Sequence, residues 1–313
     1  MALISAAILS TVAILVRHLT RTYHLPPLIL AFWRDTFVAL TLLLALGLLR
    51  PSLLTVGRRH WPQLAVYGLV LALFNSLWTL SVSLNGAAVS TVLTYCSAAF
   101  TALLGWWFLK EPLNGAKLLA VGLCLAGCVL VSRALEPGAW DANVLGIWTG
   151  LLSGLGYSIY NLMGRSTAQR GVNPWSTVLY VFGCAAVFLL LFNLLFGGVL
   201  PGAAHRPADL LWLGNDLAGW GILLLLAAGP TVVGFGLHNM SLGYLPSSVV
   251  NLLLTVEPVS TAVQAYFLLG ERLDAKQVVG SLMILAGVLL LRISEGRPVP
   301  PEPGARMESE AAH

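Results

Sequence analysis

The sequence predicts an all-α integral membrane protein with ten transmembrane helices, arranged as two inverted five-helix repeats. Three observations support this fold class. Charged residues make up 10% of the 313 residues and hydrophobic residues 58%, and the mean hydropathy is +0.84. The apolar residues fall into ten segments of helix-spanning length, and part of the first half of the chain repeats weakly in the second.

The composition excludes a water-soluble domain. A soluble protein of this length needs roughly a quarter of its residues charged to cover its surface, so lipid must surround most of this one. The net charge of +4 is small and the Lys and Arg residues are scattered, which argues against nucleic acid as a partner. The four cysteines lie in apolar segments and are interpreted as small buried hydrophobes.

Each predicted helix is an apolar segment bounded by charges, Pro or Gly, and most have the length that a bilayer-spanning helix requires. The first segment is short and ends at Arg17, so we expect either that the span starts upstream or that the Arg17 side chain reaches toward the lipid headgroups. The predicted spans are 2–17, 26–49, 61–82, 86–109, 115–133, 143–164, 174–197, 219–241, 246–269 and 275–292.

The repeat relates residues 68–133 to 228–293 at a constant offset of 160. Its clearest part pairs the charged turn at 109–113 with that at 269–273. Because each half holds an odd number of spans, the second half must enter the membrane upside down. Two inverted halves can adopt two conformations that open to opposite sides, which is the basis of alternating access.

The predicted domains are a first repeat at 1–133, a second repeat at 143–293 and a disordered cytoplasmic tail at 294–313, rich in Pro and Glu. With a cytoplasmic N-terminus, ten basic residues of the short loops and ends fall inside and six outside. We therefore expect a multi-pass protein of the inner (plasma) membrane with both termini in the cytoplasm.

Three motifs carry a family resemblance: Phe32-Trp33-Arg34, the turn Leu109-Lys110-Glu111-Pro112-Leu113, and Glu257-Pro258-Val259 with its following turn at 269–273. With the five-plus-five duplication, nearly all of residues 1–293 resembles the EamA-type members of the drug/metabolite transporter superfamily. The resemblance implies a basket-shaped bundle with a central cavity that exports amino acids or other small metabolites. Ala98 stands where the family often has a second proline, which weakens the case for a kink in the fourth helix like that of the ninth.

Glu257 is the strongest candidate site residue. It lies midway along the ninth span, where a charge costs at least ~2.5–3.5 kcal/mol. It must therefore face the bundle interior, be protonated or be paired. Pro258 removes a backbone donor beside it. Glu257 either binds a substrate amine or a proton, or it is a neutral group that bonds a neighbouring helix carbonyl.

Arg34 and Asp35 form a candidate ion pair about two turns into the second span. Arg34 could bind a substrate carboxylate. We favour a structural role, in which the arginine clamps two helices or reaches the interface. The paired turn residues Glu111 and Glu271 are expected to cap helix N-termini.

The other candidates are polar or aromatic residues predicted to line one cavity. Trp78 and His238 are equivalent in the repeat and should face each other across it, although a lone histidine is more often a packing residue. The sixth span carries two tyrosines and an asparagine on one face, whose polar ends need partners or water. The full set is Asn75, Trp78, Tyr95, Tyr157, Tyr160, Asn161 and His238, which suggests an amphipathic substrate or one with an apolar side chain.

These observations predict a secondary transporter, and specifically an exporter of small organic metabolites such as amino acids. No nucleotide-binding loop, catalytic pair or complete set of metal ligands is present in the sequence, so we expect no enzyme activity, cofactor or metal. The expected partners are a small-molecule substrate, the lipid bilayer and, if Glu257 titrates, protons. A nucleotide-sugar carrier of the same superfamily and a non-transporting receptor or scaffold stay open as alternatives.

Overall fold

In a computed structural model, the structure describes residues 1–109, 115–132, 135, 139–244 and 253–295. The regular elements of these residues are helical, as the apolar segments predict. The charged turn at 110–113 and the tail from residue 296 lie outside the described residues. The α-helices are α1 (Ala2–Thr22), α2 (Pro27–Leu49), α3 (Trp61–Asn85), α4 (Ala87–Thr94), α5 (Ser97–Leu109), α6 (Gly115–Val131), α7 (Ala139–Gln169), α8 (Pro174–Leu195), α9 (Leu217–Leu226), α10 (Val232–Tyr244), α11 (Val256–Gln264) and α12 (Ala275–Glu295).

Among the described residues, six helical segments are long and apolar enough to cross a membrane. The helices α6 and α12 contain apolar stretches that are shorter. The count of ten spans therefore stays a prediction. The six segments are Ala2–Thr22, Pro27–Leu49, Arg58–Asn85, Ala87–Leu104, Pro174–Leu195 and Leu217–Ser241.

The first helix continues past its predicted end at Arg17 as far as Thr22. The guanidinium of Arg17 pairs with the carboxylate of Glu271, whose Oε1 lies 3.1 Å from Nε. The carboxylate of Glu271, from the second half of the chain, is the partner of the Arg17 guanidinium. Whether this pair lies at the depth of the lipid headgroups stays a prediction.

The fourth predicted span is broken in the middle. Helix α4 ends at Thr94 and α5 begins at Ser97, with Tyr95 and Cys96 in a turn between them. The N–H groups of both turn residues bond the carbonyl three residues earlier, at 3.1 Å, which tightens the backbone without a proline. The fourth span therefore breaks without the proline that the family often has at the position of Ala98.

The ninth predicted span is broken at the equivalent position. Thr255 lies in a turn, and α11 begins at Val256. Thr255 and Tyr95 are related by the offset of 160 residues, so the two repeats share this feature. The eighth span also departs from a regular helix, because a π-helical turn containing Pro230 separates α9 from α10.

Helices α6 and α12 pack closely through glycines. A Cβ atom on Gly127 would lie 2.6 Å from the carbonyl oxygen of Gly280. A Cβ atom on Gly287 would lie 2.7 Å from the carbonyl oxygen of Ala120. Residue numbers rise along one helix as they fall along the other, so the pair is antiparallel. Gly127 and Gly287 are repeat equivalents, so equivalent positions of the two repeats form this antiparallel contact.

Three of the four cysteines, Cys96, Cys124 and Cys128, are buried, as their interpretation as small buried hydrophobes predicts, and Cys184 is half-buried. The sulfur atoms of Cys96 and of Cys128 in α6 lie next to each other, with Cα atoms 7.5 Å apart, and Cys124 and Cys184 are not part of this contact. The turn that breaks the fourth span brings Cys96 to α6, where its sulfur also lies 3.5 Å from the carbonyl oxygen of Cys124.

Candidate functional site

A polar pocket lies where α1, α2, α3, α4, α7, α10 and α11 meet. The space inside it that a water-sized molecule can enter is about 50 Å³. The lining combines a guanidinium, a carboxyl group, an amide, two hydroxyls of threonine and several aromatic rings on an otherwise apolar wall. The lining residues are Leu9, Val12, Arg34, Phe74, Asn75, Trp78, Thr91, Thr94, Tyr95, Tyr157, Phe235 and Glu257.

The two broken helices meet at this pocket. In a regular helix the carbonyl of Leu254 would accept from the N–H of residue 258, but Pro258 has no N–H. The hydroxyl of Tyr95 takes that place and donates to the Leu254 carbonyl at 2.6 Å. The same hydroxyl oxygen lies 2.9 Å from Oε2 of Glu257. Each helix break thus supplies one partner of the contact.

Arg34 is the cationic member of the pocket lining, and its position is fixed by buried polar groups. Its Nε donates to Oδ1 of Asp35 at 3.2 Å, and Oδ2 of Asp35 accepts from the amide of Asn75 at 2.7 Å. The guanidinium carbon lies 5.6 Å from the ring centroid of Trp78. No hydrogen bond to another described residue occupies the two terminal nitrogens of Arg34, so this fork is available to a ligand oxyanion.

Aromatic rings form an extended wall of the pocket. The ring centroids of Phe74 and Tyr157 are 5.3 Å apart. Tyr157 in turn stacks on Tyr160, with centroids 6.2 Å apart and planes at 8°. Phe235 meets Tyr160 edge-on at 5.9 Å. Such a wall suits a ligand that presents an apolar or aromatic side chain.

The structure brings six of the ten sequence-predicted site residues to the pocket lining. These are Asn75, Trp78, Tyr95, Tyr157, Glu257 and Arg34. The other four lie outside it. Asp35 is fully buried and holds Arg34, Tyr160 is buried behind Tyr157, Asn161 is half-buried, and His238 is buried elsewhere in α10.

His238 does not face Trp78 across the pocket, although the two are repeat equivalents. Its side chain is 2% exposed, and neither ring nitrogen has a hydrogen-bond partner among the described residues. Instead, Phe235 of α10 contributes to the lining, three residues earlier on the same helix.

Sequence reasoning missed six lining residues: Leu9, Val12, Phe74, Thr91, Thr94 and Phe235. The sequence offered a signal for some of them. Phe235 is the repeat equivalent of Asn75, and Thr91 and Thr94 lie within about one helical turn of Tyr95. The apolar pair on α1 carries no signal of its own, because such residues are equally common at lipid-facing and packed positions.

An all-helical bundle in which two broken helices meet at a polar pocket has the build of a membrane transporter. The chain belongs to the EamA-like transporter family, whose profile matches residues 1–133 and again 144–293. It is therefore a multi-pass membrane transporter, not an enzyme, and a small molecule is its substrate.

Several relatives cover most of the chain. An "Uncharacterized transporter" of Archaeoglobus fulgidus is 30% identical over 75% of this chain and 77% of its own length. A "Probable amino-acid metabolite efflux pump" of Salmonella typhimurium is 27% identical over 86% of both chains. A solved crystal structure superposes with a TM-score of 0.58 over 94% of this chain and 99% of its own, at 17% identity, which shows a shared fold alone.

Proposed function

We propose that this protein is a secondary transporter that exports small zwitterionic metabolites, and amino acids above all. The observation that carries the proposal is that one guanidinium, Arg34, and one carboxyl group, Glu257, line the same pocket. A buried charge is costly unless it is paired. A zwitterion supplies a partner to both groups at once.

In the proposed complex, the substrate carboxylate binds the free fork of Arg34 and the ammonium group binds Glu257. Arg34 is preorganised for this task because Asp35 and Trp78 hold its guanidinium. The substrate side chain then packs on the aromatic wall beside Tyr157. This arrangement favours amino acids with apolar or aromatic side chains over small polar ones.

The printed name of the Salmonella relative, an amino-acid metabolite efflux pump, supports both the substrate class and the direction of transport. A nucleotide-sugar carrier is the related alternative. Its substrate carries a diphosphate, which calls for several cations. Arg34 is the cationic residue among those that line the pocket, so the lining favours a substrate with a single carboxylate.

Transport by alternating access follows from the two-part architecture. We infer that residues 1–133 and 143–293 form inverted repeats, that ten helices span the inner membrane, and that both termini and the tail lie in the cytoplasm. The double family match and the antiparallel contact between α6 and α12 support the inverted repeat. The pocket then lies between the repeats, as in other carriers of this build.

A proton is the proposed coupling ion, because the groups around Glu257 have too few hydrogens to satisfy every contact when the carboxyl group is ionised. The Tyr95 hydroxyl has one hydrogen, yet it lies within bonding distance of two acceptors, the Leu254 carbonyl and Glu257. Both contacts are satisfied when Tyr95 donates to the carbonyl and a protonated Glu257 donates to the Tyr95 oxygen. We infer that Glu257 is protonated in this conformation and ionised when it binds the substrate ammonium.

The surroundings of Glu257 favour such an exchange. The other titratable or charged groups that line its pocket are Arg34 from α2, Tyr95 at the end of α4 and Tyr157 from α7. The lining residues of α1 are apolar, and Arg17 farther along α1 is paired with Glu271. A proton and an ammonium group each neutralise the carboxylate, whereas an empty, charged site is costly at mid-membrane depth. Reorientation is therefore expected only with one of them bound.

Counterflow in proteoliposomes tests the proposed substrate class. Vesicles loaded with an unlabelled apolar amino acid should accumulate the labelled form, and the free zwitterion should compete. The methyl ester, which lacks the carboxylate, and the deaminated acid, which lacks the ammonium group, should each compete at least about tenfold less well, because each loses one of the two charge-assisted contacts with the site. Equal competition by all three would contradict the two-point site. Exchange of nucleotide sugars would support the alternative carrier, and no exchange of any compound would support a receptor or scaffold.

A further inference from the structure

A cluster of charge-assisted contacts joins the two halves of the chain at one end of the pocket. The carboxylate of Glu271 accepts from the backbone N–H of Ala87 at 3.0 Å and of Ala88 at 3.4 Å. Arg17 donates from Nε to Oε1 of Glu271 at 3.1 Å, and from Nη1 to the carbonyl of Ser83 at 2.5 Å. Arg17 and the two helix ends belong to the first half, and Glu271 belongs to the second.

Each charge in this cluster matches the helix end that it touches. The N–H groups of Ala87 and Ala88 open α4 and have no partner within their own helix, so they favour an anion. Ser83 belongs to the last turn of α3, where unpaired carbonyls favour a cation. Glu271 does not cap the helix that follows it, because Asp274 and Gln277 already form a capping pair at the start of α12.

The turn between α3 and α4 is built to admit the carboxylate. Gly86 has a φ of +88°, a region that L side chains rarely adopt. A Cβ atom at this position would lie 2.8 Å from Oε1 of Glu271. Glycine alone therefore allows the carboxylate to reach the N–H groups that follow.

The cluster lies close to the pocket along two of the helices that line it. On α1, Arg17 follows the lining residue Val12 by five residues, or about 7–8 Å of helix. On α4, Ala87 precedes the lining residue Thr94 by seven residues, or about 10 Å. Both steps lead to the same end of the bundle, because the side chains of Arg17 and Glu271 meet there.

We propose that Arg17 and Glu271 are gate residues, and that their contacts with the ends of α3 and α4 form a latch that closes the pocket at this end. The latch rests on the proposed alternating access, since a carrier needs a closure that breaks once per cycle. The side chains of Arg17 and Glu271 are 22% and 17% exposed, so water can reach each partner when the latch opens.

Thiol accessibility tests the latch without any substrate. A Val12→Cys reporter is placed in a chain whose native cysteines are replaced, and a membrane-impermeant thiosulfonate is applied from the side of Glu271. In the otherwise unchanged chain the reporter should react slowly. Glu271→Gln, which removes the charge and keeps the shape, should raise the reaction rate from that side at least tenfold, and Gly86→Ala should act in the same direction.

The matched control is Asp216→Asn, which removes a carboxylate that caps α9 through the N–H groups of Ala218 and Gly219 within its own half. It should leave the reporter rate unchanged. An unchanged rate in Glu271→Gln, with the fold intact by thermal unfolding, would overturn the latch.

Cross-linking provides a second measurement on the same residues. In the double variant Arg17→Cys with Glu271→Cys, a short bifunctional reagent can join the two thiols. The cross-link should lower the counterflow rate at least tenfold, and its cleavage should restore that rate. Full exchange by the cross-linked protein would also overturn the latch. Failure of the proposed function has a different result, namely no exchange even after cleavage while the accessibility results still hold.

Discussion

Replacing Glu257 with glutamine is expected to abolish proton-driven transport while leaving the protein folded. Glutamine has nearly the shape of a protonated glutamate and can still donate to the Tyr95 oxygen, which lies 2.9 Å from the carboxyl group. It can neither release a proton nor pair with an ammonium group. The variant is thus fixed in the protonated-like form of the site.

The measurement is accumulation of a labelled amino acid in proteoliposomes against an imposed pH difference, with the membrane potential clamped at zero. One pH unit stores about 1.4 kcal/mol per proton, so exchange of one proton for one substrate allows about tenfold accumulation. The wild type should approach that ratio, and Glu257→Gln should not exceed an equal distribution.

Tyr95→Phe is the matched control for this prediction. It removes the hydroxyl from the Leu254 carbonyl and from Glu257 but leaves the carboxyl group in place. We expect slower transport that the pH difference still drives. Accumulation by Glu257→Gln equal to that of the wild type would exclude Glu257 as the proton carrier.

The second large effect is expected at Asp35. The side chain of Asp35 is 0% exposed and that of Arg34 is 3% exposed, so water reaches neither. The Asp35→Asn variant therefore leaves the buried Arg34 guanidinium without a counter-charge. Breaking a buried ion pair from one side costs about 3–5 kcal/mol. We therefore expect a strong loss of stability in detergent, measured by thermal unfolding, together with loss of exchange.

A double variant separates the structural role of the pair from its role in binding. Arg34→Met with Asp35→Leu removes both buried charges, which restores stability more often than it harms it. We expect this variant to be clearly more stable than Asp35→Asn and still unable to exchange amino acids. Exchange at the wild-type rate would mean that the substrate carboxylate binds elsewhere.

The helical class of the fold could be predicted from the sequence because lipid allows no other use for long apolar segments. The breaks within those segments could be predicted only in part. Pro258 indicates that the carbonyl of Leu254 lacks its usual donor. Nothing in the sequence near Tyr95 indicates that its hydroxyl supplies the replacement, because the two residues are 159 positions apart.

For the site, too, the sequence indicated some of the residues but not how they are arranged. Arg34, Asn75 and Glu257 could be selected because a polar group within an apolar segment needs a specific reason to be there. The arrangement of these residues around one pocket could not be predicted, because no single segment determines which helices pack against each other. Glu271 was expected to cap a helix, and it does, but the helix is α4 of the other half. Only the packed structure identifies that partner.

The inverted arrangement of the two repeats is the claim on which the shared pocket and the alternating access depend. It is tested most directly by the membrane sidedness of the two equivalent turns. Single cysteines in place of Lys110 and Arg272, in a chain without native cysteines, are treated with an impermeant maleimide in right-side-out and in inverted vesicles. If the repeats are inverted, the two positions react in opposite vesicle types; reaction of both in the same type would rule the inverted arrangement out.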